Sequence, residues 1–257
     1  AVTQTVTGTV GGGSDAYLSS ATYPFDGLLD EVIVYRYALD AGEVTDLYEA
    51  VPQVLLHLDE TGGATQFADD SGAGHHGTCS GNGCPDAGLK GQLGLAAGFD
   101  GVDDVVTASG AVPSGQQSLS LGGWVKLDSL PEGRVMRFFG LENEKAVLRY
   151  DGGYGPGQLH FYMTVDGSAH HLRVDNALQQ GYWTHVLGTY DGSTMRLYLN
   201  GEEQASLDVS GTVAGGSDLD LSSSGETLHG RLDEVTLYTR ALSNHEVRAL
   251  FRNQAKW

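Results

Sequence analysis

The chain has 257 residues, of which 33 are acidic and 14 are Lys or Arg, so its formal net charge is −19. Neutralising phosphates requires clustered basic residues, so this balance excludes nucleic acid as a partner and opposes binding to an anionic membrane surface. The acidic excess favours solubility, and it also permits divalent cations, which prefer carboxylate oxygens.

Two segments of the sequence match each other without a gap at an offset of 203 residues. Positions 7–48 align with positions 210–251, and 21 of the 42 aligned residues are identical. We interpret residues 1–52 as the C-terminal part of a preceding module and residues 53–257 as one complete module. The link between them is short, which indicates closely stacked neighbours rather than a flexible linker.

The first fifty residues contain too few strands to bury a core of their own. We expect strand residues of this segment to complete or pair with a neighbouring copy of the module, and so to build a surface stalk or filament end to end. The residues expected at this contact are Leu28, Leu29, Val32 and Val34. A segment that packs against its own module remains an alternative, and the chain fits a native subunit, a proteolytic piece or a window of a longer protein.

Short runs of alternating apolar and polar residues fill the module. They include 54–58, 119–127, 158–165, 183–190 and 195–199, and tight turns such as Asn200-Gly201 separate them. This pattern, with 38 glycines in the chain, predicts an all-β fold, an antiparallel β-sandwich. Residues 243–253 are the exception, because Ser243 and Glu246 have the spacing of a capping box ahead of a short helix.

The only cysteines, Cys79 and Cys84, enclose four residues that allow the two side chains to meet across a small turn. A zinc site would need further ligands, and no second cysteine pair exists. We predict a disulfide, which implies an oxidising location, either extracellular or at the cell surface. No apolar run reaches membrane-spanning length, so membrane insertion is not expected.

Several phrases of the module carry a family resemblance. They are the runs 98–106, 182–186, 189–192, 197–201 and 230–235, and the last of them recurs at 27–32. Together they resemble the laminin G-like jellyroll modules of the concanavalin A-like lectin and glucanase superfamily, over 54–253. The resemblance implies two curved antiparallel sheets with the first and last strands as neighbours. It also implies a carbohydrate-binding or adhesion unit on a secreted or surface protein, with a structural calcium ion in many members.

Pairing of the first and last strands brings Asp59 towards Asp233, and a bare carboxylate pair there is repulsive. The loop that begins at Asp69 and Asp70 resembles the Asp-x-Ser-Gly loop of the family. We therefore predict a structural Ca²⁺ held by Asp59, Asp69, Asp70 and Asp233. In the alternative interpretation, Asp69 only caps a turn and Asp233 only accepts a hydrogen bond from a neighbouring amide.

The sequence offers no catalytic constellation. A glycosidase of this superfamily needs acids that alternate on one strand, and only Glu142 and Glu144 imitate that pattern, in a loop-like stretch. The histidine pairs 75–76 and 170–171 point to opposite faces of a strand and are not expected to chelate a metal. We predict that the protein is not an enzyme.

Aromatic residues are the candidates for a glycan site. Tyr150, Tyr154, Tyr162 and Trp183 are available, and Tyr154 is the one that lies in an obvious Gly-rich loop. Core packing is the expected role of Trp124 and Trp183. The leading hypothesis is a calcium-stabilised structural or adhesive repeat. The alternative is a carbohydrate-binding module of a secreted glycosidase or adhesin.

Overall fold

The structure is a computed structural model, and it describes residues 25–27, 51–113, 115–153, 157–213 and 217–255. The chain divides into two compact units, Ala1–Glu49 and Ala50–Trp257. The predicted assembly residues Leu28, Leu29, Val32 and Val34 lie outside the described residues, as does Tyr154. Their roles therefore stay predictions.

The described strands of the second unit form two antiparallel sheets, called sheet A and sheet B below. Sheet A contains β1 (Val54–Leu56), β4 (Asp86–Lys90), β5 (Leu95–Asp100), β7 (Leu119–Leu127), β12 (Trp183–Tyr190), β13 (Thr194–Leu199), β14 (Glu202–Asp208) and β16 (His229–Tyr238). Sheet B contains β2 (Gln66–Phe67), β3 (Gly77–Thr78), β6 (Val106–Val112), β8 (Val135–Leu141), β9 (Ala146–Asp151), β10 (Leu159–Val165), β11 (Ser168–Val174) and β15 (Ser217–Leu221). Within the described residues, short 3-10 helices cover Gly81–Gly83 and Glu142–Glu144, and one α-helix, α1, covers Asn244–Gln254.

The strand order confirms the predicted sandwich. Sheet A runs β14-β13-β12-β7-β16-β5-β4, with β1 paired to β16, and sheet B runs β11-β10-β9-β8-β15-β6-β3-β2. The first and last strands are antiparallel neighbours, with Val54 opposite Leu237 and Leu56 opposite Val235. The predicted hairpin turn is present, since Asn200 and Gly201 have φ values of 50° and 81°.

Apolar side chains from the two sheets meet in one core. Leu121 and Val125 of sheet A and Leu148 and Phe161 of sheet B are among its buried members. Side chains alternate along a strand, so the intervening residues of sheet B point away from sheet A. This second side is the outer face of sheet B, and it carries the polar residues described below.

Helix α1 packs on the outer face of sheet A. Its first turn has the predicted capping box, in which Ser243 accepts a hydrogen bond from the Glu246 amide and Glu246 accepts one from the Ser243 amide. Val247 joins Leu187 and Tyr198 in a small second core beneath the helix. Trp124 is also buried there, as its predicted packing role requires, with its ring centroid 5.6 Å from that of Phe251.

The structure joins Cys79 and Cys84 in a disulfide, with their Cα atoms 5.1 Å apart. The bridge closes the turn that contains the 3-10 helix Gly81–Gly83. Among the described residues, no helix is long and apolar enough to cross a bilayer.

Candidate functional site

Asp59 and Asp233 converge on the loop between β4 and β5, residues 91–94. The Asp233 Oδ2 atom accepts hydrogen bonds from the amides of Gln92, at 2.7 Å, and Leu93, at 2.9 Å. Asp59 Oδ1 accepts one from the amide of Leu95, which begins β5. Two carboxylates from distant parts of the chain therefore hold opposite ends of one loop.

The Asp233 carboxylate is buried and only half satisfied. The residue is fully inaccessible to solvent, and its Oδ1 atom is buried without a hydrogen-bond partner. Burial raises the pKa of Asp233 to about 7, with the negative charges of Glu234 and Asp59 acting in the same direction, although the two loop amides oppose the shift. The site thus disfavours the ionised form of Asp233, and a bound cation would stabilise that form.

Asp69 and Asp70 do not join this pair. The carboxylate of Asp69 accepts hydrogen bonds from the amides of Leu55, Ser71 and His75. Although burial opposes the shift, these bonds hold the pKa of Asp69 below its ordinary value. Asp70 instead lies 3.8 Å from His57, on the exposed side of the loop.

No three of the four predicted carboxylates bring ligand atoms within 4.8 Å of one another. Asp69 thus makes the bonds expected of a turn cap, and the four residues do not form one ligand set.

The surroundings of Asp59 and Asp233 nevertheless fit a calcium ion. A Cβ placed on Gly91 would lie within 2.6 Å of the Leu93 and Leu95 carbonyl oxygens and of Asp233 Oδ2, so three oxygens converge beside this glycine. The Asp59 carboxylate flanks Gly94 in the same loop. A donor set of carboxylate and carbonyl oxygens with one unpartnered buried oxygen is the chemistry that Ca²⁺ prefers.

A second acidic group lies at the turn after β5. Asp100, Asp103 and Asp104 bring carboxylate oxygens within 4.8 Å of one another. Asp104 accepts a hydrogen bond from the Asp100 amide, and Asp100 accepts one from the Val102 amide. These bonds account for the acids as residues that shape the turn, as short polar side chains do elsewhere.

The outer face of β8–β11 carries a network of charged and aromatic side chains, which we call the polar face of sheet B. It consists of Arg137, Glu144, Arg149, His160, Tyr162, His171, Arg173 and Glu226. Arg137 lies opposite Arg149, Arg149 opposite His160, and His160 opposite Arg173. Four cationic or titratable side chains therefore form one row across four neighbouring strands.

Like charges directly opposite each other destabilise a sheet, and two glutamates offset that cost here. Arg149 Nη1 lies 2.6 Å from Glu226 and 3.6 Å from Glu144. Arg137 also contacts both glutamates. Burial raises the pKa of Glu226, against the lowering effect of the Arg149 charge. The result is a partly buried lattice of alternating donors and acceptors.

Hydrogen bonds connect Arg149 of this lattice to His160 and then to His171. Arg149 Nε donates to His160 Nδ1 at 3.1 Å, so the proton of the neutral His160 ring is on Nε2. That nitrogen lies 3.0 Å from His171 Nδ1, which is then the acceptor. Burial, together with the charges of Arg149 and Arg173, lowers the pKa of His160 to about 3. Asp151 lies 3.5 Å from His160, but Arg149 is the permanent donor, so we assign the neutral ring.

Tyr162 places an aromatic surface beside these polar groups. The guanidinium carbon of Arg149 lies 5.6 Å from the centroid of its ring, and the ring of His171 lies 5.1 Å from it. Tyr162 is half-buried, as is Trp183, whereas Tyr150 is fully buried and its hydroxyl donates to the Pro131 carbonyl. Tyr150 is therefore a core residue rather than an available glycan contact.

The arginine row escaped the sequence analysis. Each arginine occupies an outward position of a different strand, and only the register of four strands brings them together. Tyr162 was a candidate because it is one of the available aromatic residues. The nearest sequence signal for the others is the placement of a single arginine between apolar neighbours, in 136–138 and 148–150. Such a pattern also fits ordinary surface residues.

His75 and His76 contact Asp69 through different atoms. His76 accepts a hydrogen bond from the Asp69 amide, while the His75 amide bonds the same aspartate from its other side. Glu144 follows Asn143 in a turn where both residues have a φ of 57°. Its partners are the two arginines, so it does not stand in a strand beside Glu142.

A family model described as concanavalin A-like lectin/glucanases superfamily, of the laminin G type, matches residues 99–248, more than half of the chain. The chain belongs to this superfamily. The recognised strand motifs and the jellyroll predicted from them are thereby confirmed. No curated protein sequence gives a significant match to this superfamily member.

Solved structures with the same fold include bacterial toxin domains. The receptor binding domain of botulinum neurotoxin D matches with a TM-score of 0.64 and 14% identity, over 80% of this chain and 53% of that one. The binding domain of Paraclostridial Mosquitocidal Protein 1 matches with a TM-score of 0.63 and 15% identity, over 80% and 52%. The superfamily member described here thus spans about half the length of these toxin domains, and the likeness shows the fold alone.

Proposed function

We propose that this chain is an extracellular carbohydrate-binding module that holds a saccharide against the polar face of sheet B. The observation that carries the proposal is the paired lattice of Arg149, Glu226 and Glu144 beside the half-buried ring of Tyr162. Saccharide hydroxyls both donate and accept hydrogen bonds, so adjacent fixed donors and acceptors match them. The faces of sugar rings carry C–H groups that pack on an aromatic ring.

The construction of the face supports binding rather than folding as its purpose. Aligned arginines with compensating acids cost desolvation, and an apolar or simple polar surface would serve stability at least as well. The network is preorganised, because Arg149 is held by Glu226 on one side and by His160 on the other. The fold adds support, since solved structures that share it include binding domains of bacterial toxins.

A structural calcium ion belongs to the same proposal. Asp233 and Asp59 would hold it together with the carbonyl oxygens of Leu93 and Leu95. The ion would supply positive charge to the buried Asp233 carboxylate and fix the loop between β4 and β5. Asp69 is left out of this ligand set because its carboxylate already accepts three amide hydrogen bonds, and Asp70 because it lies beside His57 on the exposed side of the loop.

Binding to an array of oligosaccharides tests the proposed function. We expect the intact chain to bind at least one saccharide, and Tyr162→Ala to weaken that binding by roughly two- to tenfold, the range of a single aromatic contact. Tyr182→Ala is the matched control, because Tyr182 is 68% exposed and lies outside the polar face. Equal losses in the two variants, or no binding to any saccharide, would contradict the proposal.

The repeat at an offset of 203 residues favours a second candidate, end-to-end assembly through residues 1–50. In this function Leu29 and Val32 would contact a neighbouring module, as their counterparts Leu232 and Val235 pack in the core of the second unit. Light scattering of the full chain over a range of concentrations tests it. Growth of the particle mass that Leu29→Asp abolishes would favour assembly, and a constant monomer mass would oppose it.

A further inference from the structure

The last strand and helix of the module fill one position in sheet A, which we call the closing slot. Strand β16 lies there between β7 and β5 and also pairs with β1, and helix α1 packs on the outer face. Residues 25–48 of the same chain align with residues 228–251, which contain β16 and most of α1. The structure of the slot therefore shows which side chains a segment needs in order to fill it.

The two aligned segments agree where the slot buries a side chain and differ where it does not. Of the 11 buried residues in 228–251, 8 are identical in 25–48, whereas none of the 4 exposed residues is. The three buried differences are Phe25 for Leu228, Ile33 for Thr236 and Val34 for Leu237. Each of them places an apolar side chain at a buried position. This pattern is expected of a segment that fills a slot of the same kind.

Two positions of the closing slot make specific demands on the segment that fills it. A Cβ at Gly230 would lie 2.4 Å from the carbonyl oxygen of Lys126, and the aligned residue is Gly27. The carboxylate of Asp233 accepts two amide hydrogen bonds from the loop between β4 and β5, and the aligned residue is Asp30. Residues 25–48 thus carry the glycine and the carboxylate that the slot requires.

The short link before β1 favours the slot of a second copy over the slot of the same chain. Helix α1 ends at Gln254, and the Gln53 amide donates a hydrogen bond to the carbonyl of Leu237 in β16. Val51 aligns with Gln254, so only Pro52 would connect a helix on the outer face of sheet A to Gln53 in the sheet. Two residue steps span at most about 7 Å, whereas an α-helix with its side chains is about 10 Å across. A second copy is under no such constraint.

We infer that residues 25–48 of one chain fill the closing slot of a second copy of this chain, in place of its residues 228–251. The incoming segment makes nearly the same buried contacts as the one that it replaces, and the exchange of equivalent elements is a low-cost route to association. The replaced segment is then available to a further copy. This inference rests on the second candidate function, end-to-end assembly, and adds the surface that each partner uses.

A disulfide trap between full-length chains tests the inference. Arg231 in β16 lies opposite Lys126 in β7, both are half-buried, and Leu28 aligns with Arg231. One chain carries Leu28→Cys and another carries Lys126→Cys. They are mixed in urea near the unfolding midpoint at pH 6, where thiolates are scarce, and are then returned to buffer and oxidised. Residues directly opposite each other lie within the Cα distance of a disulfide, so we expect a linked heterodimer on a non-reducing gel.

Three further variants control the trap. Leu29→Cys in place of Leu28→Cys should lower the heterodimer yield by roughly tenfold or more, because neighbouring residues of a strand point to opposite faces. Lys126→Cys and Arg231→Cys in one chain should form an internal disulfide, because these two residues are partners in the native sheet. Val235→Ala, added to the Lys126→Cys chain, weakens the native closing strand and should raise the yield severalfold.

The outcomes separate the inference from the assembly on which it rests. A yield no higher than that of Leu29→Cys, or a yield unaffected by Val235→Ala, would overturn the inference. If the particle mass still grows with concentration in light scattering, assembly stands and uses another surface. A constant monomer mass together with no heterodimer would contradict the assembly itself.

Discussion

Asp59 and Asp233 hold the two ends of one loop, although the first follows the opening strand and the second lies in the closing strand. Asp233 accepts hydrogen bonds from the amides of Gln92 and Leu93, and Asp59 accepts one from the amide of Leu95. The antiparallel pairing of β1 with β16 brings both acids to the loop between β4 and β5. The negative charge of Asp59 contributes to the raised pKa of Asp233, after burial, and a cation bound by both carboxylates would remove this repulsion.

Calcium is therefore expected to stabilise the chain. At a concentration of one hundred times its Kd, an ion that binds only the folded state raises the free energy of unfolding by about 2.7 kcal/mol. Urea unfolding in CaCl₂ and in EGTA measures this difference. Asp233→Asn should lose most of it, because the amide carries no charge.

The same substitution in EGTA provides a sharper test. Without the ion, the buried Asp233 is costly when charged, so Asp233→Asn should be as stable as the native chain or more stable above pH 7. Asp128→Asn serves as a control outside the loop. Equal stability of the native chain in CaCl₂ and in EGTA would rule out the structural ion.

The sequence predicted those features that depend on local spacing or on recognised strand motifs. The capping box of Ser243 and Glu246 is contained within four residues, and the pairing of β1 with β16 follows from the family motif. The sequence contains no such local signal for whether Asp69 and Asp233 share one ligand set. Asp69 makes its bonds to Leu55, Ser71 and His75, and the fold of this short loop decides where the carboxylate points.

The alignment of the arginines across sheet B could not be predicted from the sequence. Arg137, Arg149 and Arg173 belong to three strands, and their alignment depends on every intervening register. A slip of one residue in any strand would turn that arginine towards the core. Alternation predicts which side of its own strand each arginine occupies, but the sequence contains no local signal for the neighbour across the sheet.

His185 is expected to make the stability depend on pH. The ring is fully buried between Trp124 and Phe251, and neither ring nitrogen has a hydrogen-bond partner. Burial lowers its pKa from 6.5 to about 3, so the unfolded chain binds a proton between these values and the folded chain does not. The contribution of His185 is thus complete above pH 6.5 and is lost as the pH falls towards 3, by about 2 kcal/mol at pH 5.

His185→Leu should flatten this acid dependence and raise the stability at pH 7. The substitution removes two buried nitrogens that lack partners, each of which costs roughly 1–3 kcal/mol. Urea unfolding at pH 7.5 and pH 5 measures both effects, with His245→Leu on the exposed start of α1 as the control. An unchanged slope between the two pH values would show that His185 does not titrate in this way.

The capping box of helix α1 is expected to contribute to the stability of the chain. Ser243→Ala removes the side chain that accepts from the Glu246 amide, and it should lower the free energy of unfolding by about 1 kcal/mol. Ser224→Ala changes the same chemistry at an exposed position between β15 and β16 and should have little effect. Thermal unfolding compares the two. Similar values would mean that the packing of Val247 alone fixes the helix.

Gly188 is expected to control how closely the two sheets approach. A Cβ at this position would lie 2.7–2.8 Å from three ring atoms of Phe161 on the facing sheet, so Gly188→Ala should destabilise the chain by roughly 1–3 kcal/mol. Gly225→Ala is the control, because nothing lies within 4 Å of its Cβ. Adding Phe161→Leu should make the alanine better tolerated, since the smaller side chain makes room for it. A double-mutant cycle from urea unfolding measures this coupling, and purely additive losses would mean that the clash is relieved by movement of the backbone instead.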